Sequence, residues 1–322
     1  MTTEAGGKTH APKPPRTKSH AFQSGLGLTG IWLSAGLIIA VCLFIILYVF
    51  IEGAGSLSWK FLITEPNLSA IRTESGGILT PMVGTVFLTV ISITLAFPFA
   101  LTTSVYLCFY AKKGIMKTLV TTAIDILSGV PTIVIGLFAL SIFTLPGFSF
   151  LSMPVEGVEG MNRAYGKSFL VCCISMLIMI LPFVIKSMEE SLKAVPKAYY
   201  EGALALGASK WRAISKVILS AAQQGLVTGV ILGMGRIVGD TAIVWLTLGG
   251  TLRMTGRQPW YLHPLSTLRN TGSTLTSYIF FTSPAGEGNN HYVAFGASVV
   301  LIVIILILNA AAALLGRRKK YG

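Results

Sequence analysis

Residues 201–212 read Glu201-Gly202-Ala203-Leu204-Ala205-Leu206-Gly207-Ala208-Ser209-Lys210-Trp211-Arg212. Pro196 suits the start of a helix, Ala198 to Leu206 continue it, and Gly207 interrupts it before Ser209 opens a second one. The expected product is a short helix, a turn and a second helix, amphipathic throughout and set between two long apolar stretches. A rigid stub of this kind serves as a handle, because a partner that grips it moves the spans on either side. A plain amphipathic connector would have the same pattern.

The flanking stretches decide the solvent. Of 322 residues 53% are hydrophobic and 11% charged, with a mean hydropathy of +0.73, whereas soluble domains carry about 25% charged residues. Apolar runs cover Gly30–Ile51, Ile78–Ala111, Thr118–Val155, Ser168–Ile185, Val217–Leu252 and Gly288–Gly316, and the only charges within them are Asp125, Arg236 and Asp240. A span needs about 20 apolar residues, so six transmembrane helices are predicted in an all-α membrane fold. The second, third and fifth runs exceed that length and are expected to tilt, to kink at Pro81, Pro98 and Pro131, or to project from the bilayer. No β-barrel alternation is present. The first run lacks a small-residue cleavage site and reads as a retained span.

The net charge of +13 would suit a nucleic-acid partner, but its placement points elsewhere. With the N-terminus inside, 17 of the 25 Lys and Arg fall on inner segments: residues 8–18, 112–117, 186–216 and 317–320. Seven lie outside, and Arg236 is in the membrane. This asymmetry is the positive-inside rule; it puts both termini in the cytoplasm and accounts for the basic balance without a polyanion. Residues 1–27 read as a disordered basic tail, 28–316 as the transmembrane domain with a cytoplasmic loop at about 187–216, and 317–322 as a basic C-terminus. The four cysteines all sit in apolar runs and the four histidines in a tail or outer loops, so no disulfide framework, metal site or cofactor is expected. Gly6-Gly7-Lys8-Thr9 lacks the first glycine and the strand-to-helix frame of a phosphate-binding loop, so no nucleotide site and no catalytic residue is expected. On the outside, Arg253, Arg257 and Arg269 near a hydroxyl-rich run suggest a basic vestibule for an anion, with an ordinary solvated loop as the alternative.

The fifth run carries the chemistry. On a continuous helix Gly225, Gly229, Gly233, Arg236 and Asp240 fall within an arc of about 80°. The glycines predict close helix packing, which directs Arg236 and Asp240 toward protein or a cavity. Each charge at mid-bilayer costs about 2.5–3.5 kcal/mol, so the pair should have a use. One is an i,i+4 ion pair that fixes a helix or a gate. The other is an oxyanion site, with Arg236 offering its planar fork and Asp240 accepting a hydrogen bond from the substrate. A carboxylate acceptor suits phosphate, which keeps a proton near neutral pH, and repels sulfate. Asp125 reads as a cap near the inner surface, or else as the partner of a basic residue.

Two resemblances narrow this. Glu201-Gly202-Ala203 with Gly207, followed nine residues later by Val217-Ile218-Leu219-Ser220, resembles the Glu-Ala-Ala loop of ATP-binding-cassette importer permeases, with Gly202 for Ala and Ser220 for Pro. The first change loosens the helix; the second is expected to remove a kink at the inner membrane surface. Arg236-Ile237-Val238-Gly239-Asp240-Thr241 resembles the Arg-x-x-Gly-Glu-Thr segment of the phosphate-specific transport permeases, with Asp for Glu. Ser128-Gly129-Val130-Pro131-Thr132-Ile133-Val134-Ile135-Gly136-Leu137-Phe138 is similar to that family's third-span motif. The continuation after Asp240 and the Leu308-Asn309 pattern resemble the PstA type more than the PstC type.

The resemblance covers residues 28–316 and implies a type I importer permease of the MetI-like fold that imports inorganic phosphate. Implied partners are a PstC-type permease, a PstB-type ATPase dimer and a periplasmic or extracellular PstS-type phosphate-binding protein. It implies ATPase coupling at Glu201, Gly202, Ala203 and Gly207, and a substrate pathway at Arg236, Asp240 and Thr241. An importer of another oxyanion, such as molybdate or sulfate, stays open here, as does an added sensing role. A membrane enzyme acting on phosphorylated lipids would need a base or nucleophile that the apolar runs do not supply.

Overall fold

Helix dominates because the apolar runs must satisfy their own backbone polar groups in lipid. A computed structural model describes residues 18–66, 77–152, 154–156, 162–164, 166–250, 264–286 and 290–316. Residues 1–17, Arg253, Arg257, His263 and the basic C-terminus at 317–322 lie outside these. The chain divides into two units, Met1–Ile51 and Glu52–Gly322.

The first unit is almost entirely α1 (Lys18–Ala54). From Leu28 to Ala54 it is long and apolar enough to span a membrane, and it exposes apolar side chains such as Trp32 and Phe44. Such a helix needs lipid or protein around it. It begins ten residues before the boundary expected from the sequence. No proline interrupts it.

The second unit comprises α2 (Trp59–Ile63), α3 (Leu79–Val105) with a π turn at Tyr106–Tyr110, α4 (Ile115–Gly129) and α5 (Thr132–Phe143). A short antiparallel ribbon follows, β1 (Pro154–Glu156) with β2 (Asn162–Ala164); with an isolated bridge between Gly249 and Gly272 it makes up the β structure among the described residues. Then come α6 (Phe169–Lys193), α7 (Lys197–Ala205), α8 (Lys210–Arg212), a π turn at Ala213–Ile218, α9 (Leu219–Ala221) and α10 (Gln223–Gly239). The chain closes with α11 (Ala242–Leu248), α12 (Pro264–Arg269), α13 (Leu275–Thr282) and α14 (His291–Leu315).

Among the described residues four helices are long and apolar enough to span a membrane, and two bent pairs raise this to six if each pair is one span. The third run is the first pair: α4 and α5 meet at 103°. Pro131 forces Val130 out of the helical region, to φ −72°, ψ 128°. Pro98, by contrast, sits inside α3 without breaking it. The fourth span outruns its apolar stretch by two turns, reaching Lys193. The fifth run bends by 69° at Ala222. The kink expected to vanish with Ser220 is therefore present; a π turn and a break in the helix supply it where the family motif has proline.

α6 is the central post. Phe169, Cys172, Cys173, Met176, Ile180 and Val184 are buried, packed by α3, α10 and α11. Buried hydroxyls are satisfied locally: Ser175 donates to the Val171 carbonyl at 2.7 Å, and Ser104 lies 2.7 Å from Ala100 O and 3.0 Å from Ile185 O across the α3–α6 seam. At one end of α6 the Ser168 and Phe169 amides donate to Thr247 O and Asn270 O. These bonds tie α6 to the C-terminal end of α11 and to the turn after α12.

The glycine face of α10 lies against α6, as the packing reading expected. A Cβ on Gly225 would stand 2.4 Å from Ser191 Oγ, one on Gly229 3.2 Å from Ser187 Oγ, and one on Gly233 2.9 Å from Val184 Cγ2. Positions rise along α10 as they fall along α6, so the helices are antiparallel and nearly in backbone contact. Arg236 is carried three residues beyond this contact.

Candidate functional site

Two regions carry exposed polar chemistry. The first is the α7–α8 handle. Pro196 precedes α7 in extended conformation, and Gly207 ends it at φ +80°. The Ala208 amide reaches Ala203 O at 3.1 Å and the Gly207 amide reaches Leu204 O at 2.9 Å. Together they form a left-handed C-terminal cap that favours glycine. Ser209 then caps α8, its Oγ accepting from the Arg212 amide at 3.3 Å.

The handle is seated on the C-terminal end of α3. The Tyr200 ring lies 5.5 Å from Phe109, and Lys210 Nζ sits 4.3 Å above the Tyr110 ring. Cys108, Lys193, Tyr200 and Glu201 help line a cleft of about 380 Å³ beside it. On the other side Leu206 is 91% exposed and Trp211 62%. Glu201 and Gly202 are exposed, Ala203 half-buried, and the Glu201 carboxylate makes no ion pair among the described residues. The expected coupling residues thus stand together on one exposed stub bearing a large uncovered apolar tip.

The second region lies where α4–α5, α6 and α10–α11 meet. Arg236, in the last turn of α10, is exposed. Its Nε donates to Met179 Sδ at 3.1 Å, and its Cζ lies 5.6 Å from the centre of the Phe183 ring. Nη1 and Nη2 have no partner among the described residues.

Asp240 is not on the same helix. α10 stops at Gly239, and Asp240 is extended at φ −83°, ψ 126°. Gly235 and Gly239 weaken the end of α10, and the Asp240 carboxylate opens the next helix, accepting from the Ile243 amide at 2.8 Å. This is the N-cap bond from residue i+3 for which aspartate is well suited. The expected i,i+4 ion pair is therefore corrected: Arg236 and Asp240 are close in sequence, are held by different neighbours, and form no ion pair among the described residues. Thr241 is half-buried at the start of α11.

Of the two readings of Asp125, the structure shows the partner of a basic residue: its carboxylate meets Lys186 Nζ at 2.7 Å, and the same Nζ lies 3.4 Å from Ser128 Oγ. Lys186, which charge alone groups with the inner segment, belongs to α6, and no motif singles out Met179 or Phe183. Met179, Phe183 and Lys186 recur at three- and four-residue spacing on one face of α6, a signal available in the sequence but hidden in an apolar run. The outer vestibule loses one of its arginines: Arg269 Nη2 donates to Ser149 O and Ser152 O at 3.5 and 3.3 Å. Arg253 and Arg257 lie outside the described residues. No cluster of three or more metal-ligating side chains occurs among the described residues.

Comparison with known proteins gives one direction. A protein of Bacillus subtilis named "Probable ABC transporter permease protein YqgI" is 28% identical over 228 residues, 71% of each chain. The phosphate transport system permease protein PstA 1 of Mycobacterium tuberculosis is 31% identical over 175 residues, 54% of this chain and 52% of that one. The phosphate transport system permease protein PstC of Xylella fastidiosa is 28% identical over 201 residues, 60% of this chain and 61% of that one. The chain thus spans only about half to three-fifths of these two Pst relatives.

Among solved structures, a chain of a bacterial alginate ABC transporter in complex with alginate pentasaccharide-bound periplasmic protein aligns with a TM-score of 0.59. That alignment has 16% identity and covers 92% of this chain and 98% of that one. A chain of the inward-facing MetNI methionine ABC transporter aligns at 0.53, with 18% identity over 74% and 93%. Both likenesses establish a shared fold. Residues 97–321 match the binding-protein-dependent transport system inner membrane components, and the chain belongs to that family.

Proposed function

We propose that this chain is the PstA-type permease subunit of an ATP-driven importer of inorganic phosphate. As a permease component it is not itself the ATPase. In this reading it pairs with a PstC-type permease, a PstB-type ATPase dimer and an external PstS-type phosphate-binding protein. Both termini face the cytoplasm, as the Lys and Arg distribution supports. ATP-driven closure of the ATPases pushes the stub bearing Glu201 and Gly207, and the spans around Arg236 exchange their exposure to the two sides.

One observation carries the substrate reading. Arg236 is an exposed intramembrane guanidinium whose Nη atoms are free among the described residues, next in sequence to the Asp240-Thr241 break. A guanidinium fork complements an oxyanion, and the Asp240 carboxylate, four residues on, accepts a hydrogen bond only from an anion that still holds a proton. Relatives near 30% identity named for phosphate transport support the same substrate.

The test is ATP-dependent uptake of radiolabelled orthophosphate into liposomes holding the complete complex, with sulfate and molybdate as competitors. Phosphate-selective uptake that is lost in Arg236→Ala, with assembly intact, supports the reading. Normal uptake by Arg236→Ala removes Arg236 from the pathway. An assembled, ATP-hydrolysing wild type that imports another oxyanion replaces the substrate.

A further inference from the structure

We infer that Met179 and Phe183 of α6 are positioning residues that set the Arg236 guanidinium for its anion. The inference rests on the oxyanion role proposed for Arg236.

A guanidinium has two edges that can grip an oxyanion with parallel N–H donors, one using Nε and one using both Nη atoms. Here the Nε edge is occupied by Met179 Sδ at 3.1 Å. The Nη edge therefore remains for a ligand. The plane is supported by the Phe183 ring, 5.6 Å from Cζ. Both supports are electrically neutral. A carboxylate in their place would hold Arg236 more strongly but would cancel the charge that an anion is to meet. A thioether is a weak acceptor and a ring face attracts a cation through its quadrupole, so orientation is fixed while the full positive charge is kept.

The backbone makes this geometry possible. Gly233, on the turn before Arg236, packs so closely on α6 that a Cβ would stand 2.9 Å from Val184 Cγ2. With the helices this near, the arginine crosses directly onto residues 179 and 183, one turn apart on α6. The anchor is rigid as well, since Met179 is 3% exposed and Ile180 and Val184 are fully buried. Asp240, in contrast, is held by the Ile243 amide of α11. The cation of the site is thus fixed to the central post, whereas the carboxylate goes with α11.

The experiment uses the complete complex in liposomes with loaded binding protein in excess. It reads phosphate imported per ATP hydrolysed, together with complex assembly. Phe183→Leu and Met179→Leu keep apolar volume and remove the ring face or the sulfur. Each is expected to lower phosphate imported per ATP about two- to fivefold, with assembly unchanged and with selectivity over sulfate reduced. Phe183→Tyr keeps the ring and is expected to transport as wild type. Equal loss in Phe183→Tyr and Phe183→Leu would show that shape alone matters and would overturn the positioning role. So would wild-type ratios in both leucine variants while Arg236→Ala is inactive, and in that case the oxyanion reading survives. Normal transport by Arg236→Ala would remove that reading and this inference together.

Discussion

Lys186 Nζ and Asp125 Oδ1 meet at 2.7 Å across the seam between α6 and the last turn of α4. The pair pins α4 just before the chain turns 103° into α5, and Ser128 adds a second contact to the same ammonium. Beyond the break α5 packs on α11, where a Cβ on Gly136 would stand 2.8 Å from Leu246 Cδ1 and 3.4 Å from Ile243 Cα. The broken third span is therefore fastened on one side to the central post and on the other to α11.

Both partners are about half exposed, so the pair should contribute no more than about 1 kcal/mol to the stability of the isolated chain. Its importance should lie in placing α4. Lys186→Asp and Asp125→Lys are each expected to reduce phosphate uptake several-fold with a small change in melting temperature. The double variant, which restores the attraction with its sign reversed, should regain most of the uptake. Failure of the swap while both singles are impaired would mean that the individual charges, and not their contact, are needed.

Gly233→Ala and Gly235→Ala form a matched pair on α10. A Cβ at 233 meets Val184 Cγ2 at 2.9 Å and Ile93 Cδ1 at 3.1 Å, whereas one at 235 meets nothing within 4 Å. The first change should destabilise the chain by about 1–3 kcal/mol through overpacking and should move Arg236 off its support. The second should be neutral or stabilising by about 0.5–1 kcal/mol, because alanine favours helix. Thermal melts in detergent with uptake assays in liposomes check both. Equal melting temperatures for the two would contradict the close α6–α10 contact.

Much of this was legible from residue patterns. The apolar runs, the handle and the glycine face of α10 follow from periodicity and composition, because lipid leaves the backbone few alternatives. The interior of the site did not follow. A helical wheel assumes a continuous helix, and the Gly239-Asp240 end of α10 breaks that assumption, so the arc that joined Arg236 to Asp240 does not exist in the fold. The kink near Ser220 was hidden for a related reason: a π turn leaves no marker as plain as proline. Met179 and Phe183 lie in an unmarked apolar run, and their use depends on which helix lies opposite.

The handle makes its own prediction. Gly207 lies at φ +80° with nothing within 4 Å of a would-be Cβ, and Gly202 is helical with equally open surroundings. Gly207→Ala should therefore cost about 1–2 kcal/mol in local backbone strain, loosening the turn that aims Leu206 and Trp211 outward. Gly202→Ala should firm α7 by about 0.5–1 kcal/mol. If the stub transmits ATPase motion, Gly207→Ala lowers phosphate imported per ATP, and Gly202→Ala leaves it unchanged or raises it. A Gly207→Ala complex with full coupling would show that the turn need not be rigid.

Asp240 serves two ends that three variants can separate. As the acceptor for the Ile243 amide at 2.8 Å it caps α11, a job asparagine does about as well and alanine does not. In the proposed pathway its charge also acts on the substrate, and asparagine removes that charge. Asp240→Asn should keep the melting temperature and lose discrimination against sulfate. Asp240→Ala should lose both, with a stability cost of about 0.5–2 kcal/mol. Asp240→Glu restores the acid of the resembling motif but carries its carboxylate one methylene too far to cap. It should melt earlier than wild type while keeping its preference for phosphate. If asparagine instead transports phosphate and rejects sulfate as wild type does, the carboxylate is a helix cap alone, and selectivity must come from Arg236 and from the other permease of the pair.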